Sequence, residues 1–374
     1  MGVDVYCAGQ GDLSGKLLPY LDFMIFKTAL AHTAKITGAF GAASRAATGF
    51  LTILAYHAFS IADGHHFRPK LFMRPDHFAK RLEFLRSEGF RVLPLDEAIE
   101  MLRAGSLRRK DISITIDDGF HTAAKVGVPL LRRYHYPATI YVTTYYVRRN
   151  HPIFRIVLQY WFWRRAGQRL NLDGLVPGLE GAVVLGSPEA DRALWKMISH
   201  CESCGCEDAR TEICREVGRR LDMSYDELVR SRRFTLMSGE QITEAARAGI
   251  DIQLHTHRHR LPLDPGLLIR EIHENRSILE PLVRRPLRHL CYPSNVWSRD
   301  QWPALAAAGV HTATTCDPGM NRPETELFGL RRFLDGSNFH QVVFEAEVFG
   351  VGHAWRTLSS PPSKRESAPV PSAL

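Results

Sequence analysis

The sequence predicts an α/β fold in which parallel β-strands alternate with α-helices. Runs of β-branched and apolar residues, such as LTILAYH at 51–57 and ISITI at 112–116, are typical of buried strands. Between them, Phe78, Leu82 and Leu85 recur at helical spacing until Gly89 ends the helix. Acidic residues and histidines follow strands directly. This alternation predicts a parallel sheet or barrel whose functional residues lie at the carboxyl ends of its strands.

The later segments follow the same alternation. Asp96 is the predicted N-cap of the helix after the strand RVLPL at 91–95. Ser238 and Gln241 predict a capping box, and the helix that they begin ends at Gly249. The remaining predicted units are strands over 137–144, 250–254, 289–292 and 311–315 and helices over 264–284 and up to Gly309.

Changes in composition predict four segments. Residues 1–50 form an amphipathic helical segment that lies on the domain surface or on a membrane surface. Residues 51–350 form the catalytic domain, interrupted at about 151–233 by a helical insertion rich in Trp, Arg and Cys. The Ser- and Pro-rich tail at 357–374 lacks apolar periodicity, which predicts disorder.

Charge and cysteine content restrict the location and the partners. The net charge is +8, but its basic residues are scattered, so we expect no nucleic-acid partner. We find no signal-peptide pattern at the start of the chain, and the longest stretch without Asp, Glu, Lys or Arg there is too short for a membrane span. We therefore expect a cytoplasmic protein, with possible peripheral contact of the N-terminal helix with the inner face of the membrane. The oligomeric state is left open.

Two adjacent carboxylates end one predicted strand. In ITIDDGF at 114–120, a turn at Gly119 would let Asp117 and Asp118 reach the same pocket, although neighbouring side chains on a strand point to opposite faces. A cation would relieve their repulsion. The alternative is an ordinary Asp-Asp-Gly surface turn.

Two histidines four residues apart follow another predicted strand. His255 and His259 in LHTHRHR at 254–260 have a spacing that can hold one metal ion, whereas His257 is not needed for it. The alternative is a basic, His-rich loop. Together with Asp118, the two histidines make a three-ligand set with a position left for water, and Asp117 could take the proton of that water.

These motifs resemble the polysaccharide deacetylases of the NodB-homology group, carbohydrate esterase family four. The resemblance extends over LTILAYH, the segment from Phe78 to Ile99, ITIDDGF, PATIYV, HTHRH and CYPSN. It implies a distorted (β/α)7 barrel and a hydrolase that removes N-acetyl groups from a sugar unit of a polysaccharide, oligosaccharide or lipid-linked glycan. It further implies Asp117 as catalytic base and Asp118, His255 and His259 as the ligands of a divalent metal. We expect Zn²⁺, with Co²⁺, Ni²⁺ or Mn²⁺ as alternatives.

The third motif departs from the pattern of the family. An arginine usually stands two residues before the motif proline and a glycine after it, where this chain has Cys291 and Asn295. Because that arginine steadies the catalytic aspartate, we expect Arg332 to replace it from another strand. The backbone near Tyr292 resembles the donor that stabilises the oxyanion.

Other site residues are carried over more loosely. Thr256 occupies the small hydroxyl position between the histidines, and we expect it to contact substrate together with Pro293 and His57. The late motif that supplies a general acid has no clear counterpart, and His340 and His353 are its candidates.

Alternatives to N-deacetylation remain open. The same chemistry suits an O-acetyl esterase or a deformylase acting on a glycan, and the weakened motifs would suit a catalytically impaired carbohydrate-binding protein. The cysteine cluster (Cys201, Cys204, Cys206, Cys214) lacks a separated second pair, so free thiols are expected rather than a structural zinc site. Trp161 and Trp163 are expected in the core of the insertion, with sugar stacking or membrane contact as alternatives.

Overall fold

A computed structural model describes residues 13–359 except 148, 150 and 205, and it describes no side chains for 13–23 and 204. The strands are β1 Thr52–Tyr56, β2 Ala58–Phe59, β3 Phe72–Met73, β4 Arg91–Val92, β5 Asp111–Ile116, β6 Thr139–Val142, β7 Arg169–Asn171, β8 Ala182–Val184, β9 Asp251–Leu254, β10 His289–Cys291, β11 Thr312–Thr314 and β12 Phe333–Leu334.

Helices separate most of these strands. They are α1 Leu13–Ile36, α2 Ala39–Ala46, α3 Gly64–Phe67, α4 Pro75–Ser87, α5 Leu95–Arg103, α6 Val128–Tyr134, α7 Phe154–Arg164, α8 Pro188–Cys204, α9 Glu207–Arg220, α10 Tyr225–Ser231, α11 Gly239–Arg247, α12 Pro265–Val283, α13 Trp302–Ala307, α14 Gln341–Val348 and α15 Val351–Ser359.

Seven parallel strands form the curled central sheet. Their order is β11-β10-β9-β6-β5-β1-β12, and β4 pairs in parallel with the start of β5. Leu330, just before β12, pairs in parallel with Thr314 of β11. The two ends of the strand order therefore approach each other, and the sheet curls towards a closed barrel. This confirms the predicted α/β barrel type. All the strands point the same way, so their carboxyl ends meet at one rim.

The alternation along β5 places polar side chains inside the barrel. Ile112, Ile114 and Ile116 pack outwards against the helices in the main apolar core. Because successive side chains point to opposite faces, Ser113 and Thr115 point into the barrel, where both are buried. The strand therefore leads polar side chains up to the rim where it ends.

The predicted insertion packs in an apolar core that is separate from the main one and that it shares with residues such as Phe67, Phe72 and Phe120. It comprises α7 to α10 and the antiparallel hairpin β7–β8. Trp161 is fully buried there, as expected, and Trp163 packs against the same cluster while remaining partly exposed. The Ile153 N–H donates to the Phe234 carbonyl at 2.8 Å, so the insertion leaves and rejoins the barrel at one point.

The helices at the two ends of the chain pack together. Ala31 and Ala34 of α1 lie against Val342 and Val343 of α14, and the Lys35 ammonium lies 2.6 Å from Glu345. Among the described helices, none is both long and apolar enough to cross a membrane.

Two local predictions need correction. Helix α5 begins at Leu95, so Asp96 lies in its first turn and is not its N-cap; Asp96 instead accepts a hydrogen bond from His289 at 2.6 Å. A carboxylate in the first turn is still favoured by the helix dipole. Disorder was predicted for 357–374, but residues 357–359 belong to helix α15. The rest of that tail lies outside the described residues.

Candidate active site

The two adjacent aspartates separate at the end of β5. The Asp117 N–H still donates to the Tyr56 carbonyl at 2.8 Å, so the sheet pairing extends to this residue. Asp118 and Gly119 then both have positive φ, at 69° and 75°. A Cβ atom at Gly119 would lie 2.9 Å from the nearest Val142 methyl carbon. The position therefore requires glycine, and the turn aims the two carboxylates at different partners.

The histidines converge on Asp118. His255 follows β9, and the loop after it turns through Thr256 and His259, which have φ of 61° and 54°. The Nε2 atoms of His255 and His259 each lie 3.1 Å from the Asp118 Oδ1. One ligand atom from each of the three residues lies within 4.8 Å of the others. The structure thus brings together the three ligands that the sequence predicts.

The chemistry of this group fits a bound cation. The His255 Nδ1 lies 2.8 Å from the Cys291 carbonyl, which can only accept, so Nδ1 carries the proton. The lone pair of Nε2 in the neutral ring then faces the Asp118 carboxylate, and two acceptors in contact require a positive charge between them. Burial disfavours the charged ring, but the hydrogen bond and charge of Asp118, together with the charge of Asp117 and the Cys291 carbonyl, outweigh it and raise the pKa of His255.

Asn275 fixes the histidine from the other side. Its side-chain oxygen accepts the His255 N–H at 3.0 Å, and its amide donates to the Val142 carbonyl at 2.9 Å and to Thr144 at 3.0 Å. Asn275 is fully buried on α12. It ties the ends of β6 and β9 together and so supports the ligand geometry.

Asp117 is paired with Arg332 instead of the histidines. The two guanidinium Nη atoms donate to the two carboxylate oxygens at 2.7 Å each, a bidentate arrangement with both side chains buried. Arg332 precedes β12, and its side chain passes Thr115 inside the barrel at 3.1 Å. Burial raises the pKa of Asp117, but the charge and hydrogen bonds of Arg332 outweigh it and hold the pKa below its usual value. Arg332 therefore forms the ion pair with Asp117 that was expected from the sequence.

His57 lies against Asp117. Its Nε2 is 3.6 Å from the Asp117 Oδ2, and its side chain is completely buried. Burial lowers the pKa of His57. Contact of His57 with substrate stays a prediction.

Hydrogen bonding corrects the prediction for Tyr292. The Tyr292 N–H donates to the Thr314 carbonyl at 3.1 Å within the sheet, so it is not available to an oxyanion. Pro293 has no N–H, and the next amide along the chain is that of Ser294, whose φ is 56°. Thr256 and Pro293 are both buried, and the Thr256 hydroxyl accepts the Arg260 N–H at 3.1 Å. Their contact with substrate stays a prediction.

The two candidates for the general acid lie elsewhere. His340 caps α14 by accepting the Val342 N–H, and its ring packs against His32 of α1. His353 packs against Phe50, which precedes β1 and therefore lies at the end of the barrel opposite the site. Neither fills the predicted role.

The cysteine cluster forms no metal group among the described side chains. Cys206 and Cys214 are free thiols, and the only group of metal-ligating side chains found in the described part of the chain is that of Asp118, His255 and His259. The expectation for Cys204 lies outside the described side chains.

Exposure shows from which side the site is reached. Asp117 is fully buried and Asp118 is 6% exposed, whereas the side chain of His259 is 31% exposed. A molecule from solvent would therefore meet His259 first.

Sequence reasoning missed two residues of the site. Asn275 carries no motif signal, because a single Asn within a helical pattern is indistinguishable from a surface position. From the sequence, Cys291 was noted only as the residue that stands where the family has an arginine. In the structure its carbonyl contacts His255 and its thiol contacts Asp117. Its alternation with the buried strand residues would have predicted an inward side chain.

Comparison with known proteins gives a likeness of fold. The sequence matches no protein-family model and no curated protein. IcaB from Ammonifex degensii superposes with a TM-score of 0.50 at 18% identity, covering 80% of this chain and 97% of that one. This likeness, with the sheet described above, shows that the chain has the NodB-type α/β barrel.

Two more solved structures are similar at slightly lower scores. They are the Streptococcus pyogenes deacetylase PplD in complex with acetate and a de-N-acetylase from Aggregatibacter actinomycetemcomitans, both with a TM-score of 0.49. PplD is 17% identical, with 76% of this chain and 91% of that chain covered. The de-N-acetylase is 13% identical, with 79% and 98% covered.

Proposed function

We propose that this protein is a metal-dependent deacetylase that hydrolyses an N-acetyl group on a sugar unit of a glycan or a lipid-linked glycan. The observation that carries the proposal is the convergence of Asp118, His255 and His259 beside the separately held Asp117–Arg332 pair. One carboxylate and two imidazoles are a hydrolytic ligand set, and an ionised aspartate next to it is a base. The motif resemblance supports the sugar substrate.

The metal is proposed to be Zn²⁺, with Co²⁺, Ni²⁺ and Mn²⁺ as alternatives for the same donors. When bound, such an ion supplies Lewis-acid charge that polarises a carbonyl and lowers the pKa of a coordinated water. The residues that would hold it are Asp118, His255 and His259, whose nitrogen and oxygen atoms already face one another.

The task of Asp117 follows from its ion pair. Because Arg332 keeps Asp117 ionised, its carboxylate can accept the proton of a water that attacks the acetyl carbonyl carbon. The C–N bond then breaks, giving acetate and an amino sugar, and the proton held by Asp117 is available to the leaving nitrogen. Arg332 stays charged throughout and fixes the orientation of the carboxylate.

The test is acetate release from N-acetylglucosamine oligomers and from lipid-linked N-acetyl sugars. Protein loaded with zinc should release acetate, and chelated protein or the Asp117→Asn variant should not. We expect Asp117→Asn to keep its metal. No release from any substrate by zinc-loaded wild-type protein would contradict the proposal. Release of formate would show that the enzyme is a deformylase, and release of acetate from O-acetyl sugars only would show that it is an esterase.

The histidine run offers a matched control for the metal site. His257 lies between the two proposed ligands, but its Nδ1 bonds to the Thr144 hydroxyl at 2.9 Å and its Nε2 faces Glu274. Metal content per chain should fall in His255→Ala and His259→Ala and remain in His257→Ala. Equal metal content in all three variants would remove the proposed site.

We also propose a cytoplasmic location, at the inner face of the membrane. The free thiols of Cys214 and Cys291 support it, because reducing compartments preserve such groups. Fractionation of cells that express the chain would test it, and recovery outside the cytoplasm and its membrane would contradict it.

A further inference from the structure

Cys291 connects the two halves of the site. It ends β10, is buried, and belongs to the apolar cluster inside the barrel. Its carbonyl accepts from the His255 Nδ1 at 2.8 Å, which sets the tautomer of a proposed metal ligand. Its sulfur lies 3.4 Å from the Asp117 Oδ2, and the Arg332 Nη2 donates to it at 3.1 Å.

We propose that the Cys291 thiol is a positioning residue that holds the Asp117 carboxylate in its reactive orientation. The inference rests on the proposed function, since it assigns the orientation of the proposed base. The thiol donates to the Asp117 Oδ2 while its sulfur accepts from Arg332, which itself donates to the same oxygen at 2.7 Å. These three contacts form a closed triangle, which resists rotation of the carboxylate about its Cβ–Cγ bond.

The thiol form of Cys291 suits this task, because its sulfur lies between a carboxylate oxygen that accepts and a guanidinium group that donates. A neutral S–H group can donate to the carboxylate without adding a second negative charge to the pocket.

The size of the residue matters as well. Arg332 reaches Asp117 through the barrel interior, where its side chain is completely buried. Cys291 leaves room for that guanidinium group, whereas a longer side chain would compete for the same space. Cys291 and Arg332 thus hold the Asp117 carboxylate together, a task that the resemblance assigns to a single arginine at position 291.

Three variants test the proposal. Cys291→Ala removes the donor, Cys291→Ser restores a donor of similar size, and Cys214→Ala truncates another buried thiol in the core of the insertion. On acetate release, Cys291→Ala should lower kcat by about 10- to 100-fold with KM nearly unchanged, since misplacing a reacting group costs rate more than binding. Cys291→Ser should recover most of kcat, and Cys214→Ala should keep the wild-type kcat.

Two measurements do not depend on turnover. Zinc content per chain should be unchanged in Cys291→Ala, because the carbonyl that orients His255 remains. The loss of Tm on Cys291→Ala should be smaller in an Asp117→Asn background than in the wild type, because the contact with the carboxylate is then already weakened.

The outcomes separate the two proposals. Absent turnover in zinc-loaded wild-type protein would overturn the deacetylase function, and the Tm comparison would then decide on the positioning contact by itself. Equal Tm losses in the two backgrounds, or a wild-type kcat in Cys291→Ala, would overturn the role of Cys291. A kcat in Cys291→Ser as low as in Cys291→Ala would also overturn it, because the donor would then not matter.

Discussion

Asp117 and Asp118 are neighbours in the chain and have opposite partners in the structure. Asp117 is held by the guanidinium of Arg332, and Asp118 lies between two imidazoles. Bonds from His255 and His259 overcome the effect of burial and hold the pKa of Asp118 well below its usual range. Two carboxylates thus remain ionised at one strand end for different reasons, which suits a base next to a metal ligand.

At the scale of single residues, we predict a large loss of stability from Arg332→Ala. The substitution leaves Asp117 buried without its partner, and breaking a buried ion pair costs about 3–5 kcal/mol. Arg332→Lys should cost less, yet still lower kcat, because an ammonium cannot make two parallel bonds. Denaturant unfolding and acetate release would measure both effects.

The neighbouring Arg331 is the control, because it is exposed. Arg331→Ala should change the unfolding free energy by less than about 0.5 kcal/mol. If Arg332→Ala were as mild as Arg331→Ala, the ion pair would not hold Asp117.

The element that shapes the site is the turn after β5. We predict that Gly119→Ala lowers the free energy of unfolding by about 1–3 kcal/mol, because φ is positive and the added Cβ meets Val142. It should also weaken metal binding, since Asp118 is the preceding residue. Chemical denaturation and zinc titration would measure these changes.

The variant Gly105→Ala separates backbone strain from the collision with Val142. The φ of Gly105 is 64° and a Cβ there would have nothing within 4 Å, so Gly105→Ala carries the backbone strain without the collision. It should cost about 1 kcal/mol and leave zinc binding intact. Equal destabilisation by the two variants would show that contact with Val142 is unimportant.

The insertion is held to the barrel by an acidic anchor. Asp63, just before α3, accepts from the Tyr160 hydroxyl at 2.9 Å and from Arg233 at 3.3 Å. We predict that Asp63→Asn increases amide hydrogen exchange in 151–233. The neutral amide would bind Tyr160 and Arg233 more weakly than the ionised carboxylate does. Glu189→Gln removes an exposed pair with Arg192 inside the insertion and should leave exchange nearly unchanged. Identical exchange in Asp63→Asn and the wild type would contradict the anchor.

At the scale of the whole molecule, the curled sheet brings distant segments into one site. Strands β5, β9 and β10 and the segment before β12 contribute residues more than 200 positions apart. Parallel strands make this possible, because they all end at the same rim.

Metal binding should therefore stabilise the entire domain. An ion that binds the folded chain at one hundred times its dissociation constant adds about 2.7 kcal/mol to the free energy of unfolding. Zinc should raise Tm in the wild type and in His257→Ala, and should not raise it in His255→Ala. A zinc-induced shift that survives His255→Ala would place the stabilising metal elsewhere.

The sequence by itself predicted the barrel class and the side chains that converge at its rim, Asp117, Asp118, His255 and His259, because strand–helix alternation and residue spacing are local patterns. It also pointed to Arg332 as the partner of Asp117. Only the tertiary structure decided that the Tyr292 N–H is used within the sheet, that His57 lies against Asp117 and that Cys291 contacts both halves of the site. These facts depend on which side chains face the barrel interior and at what depth, and strand register and packing, not local sequence, set both.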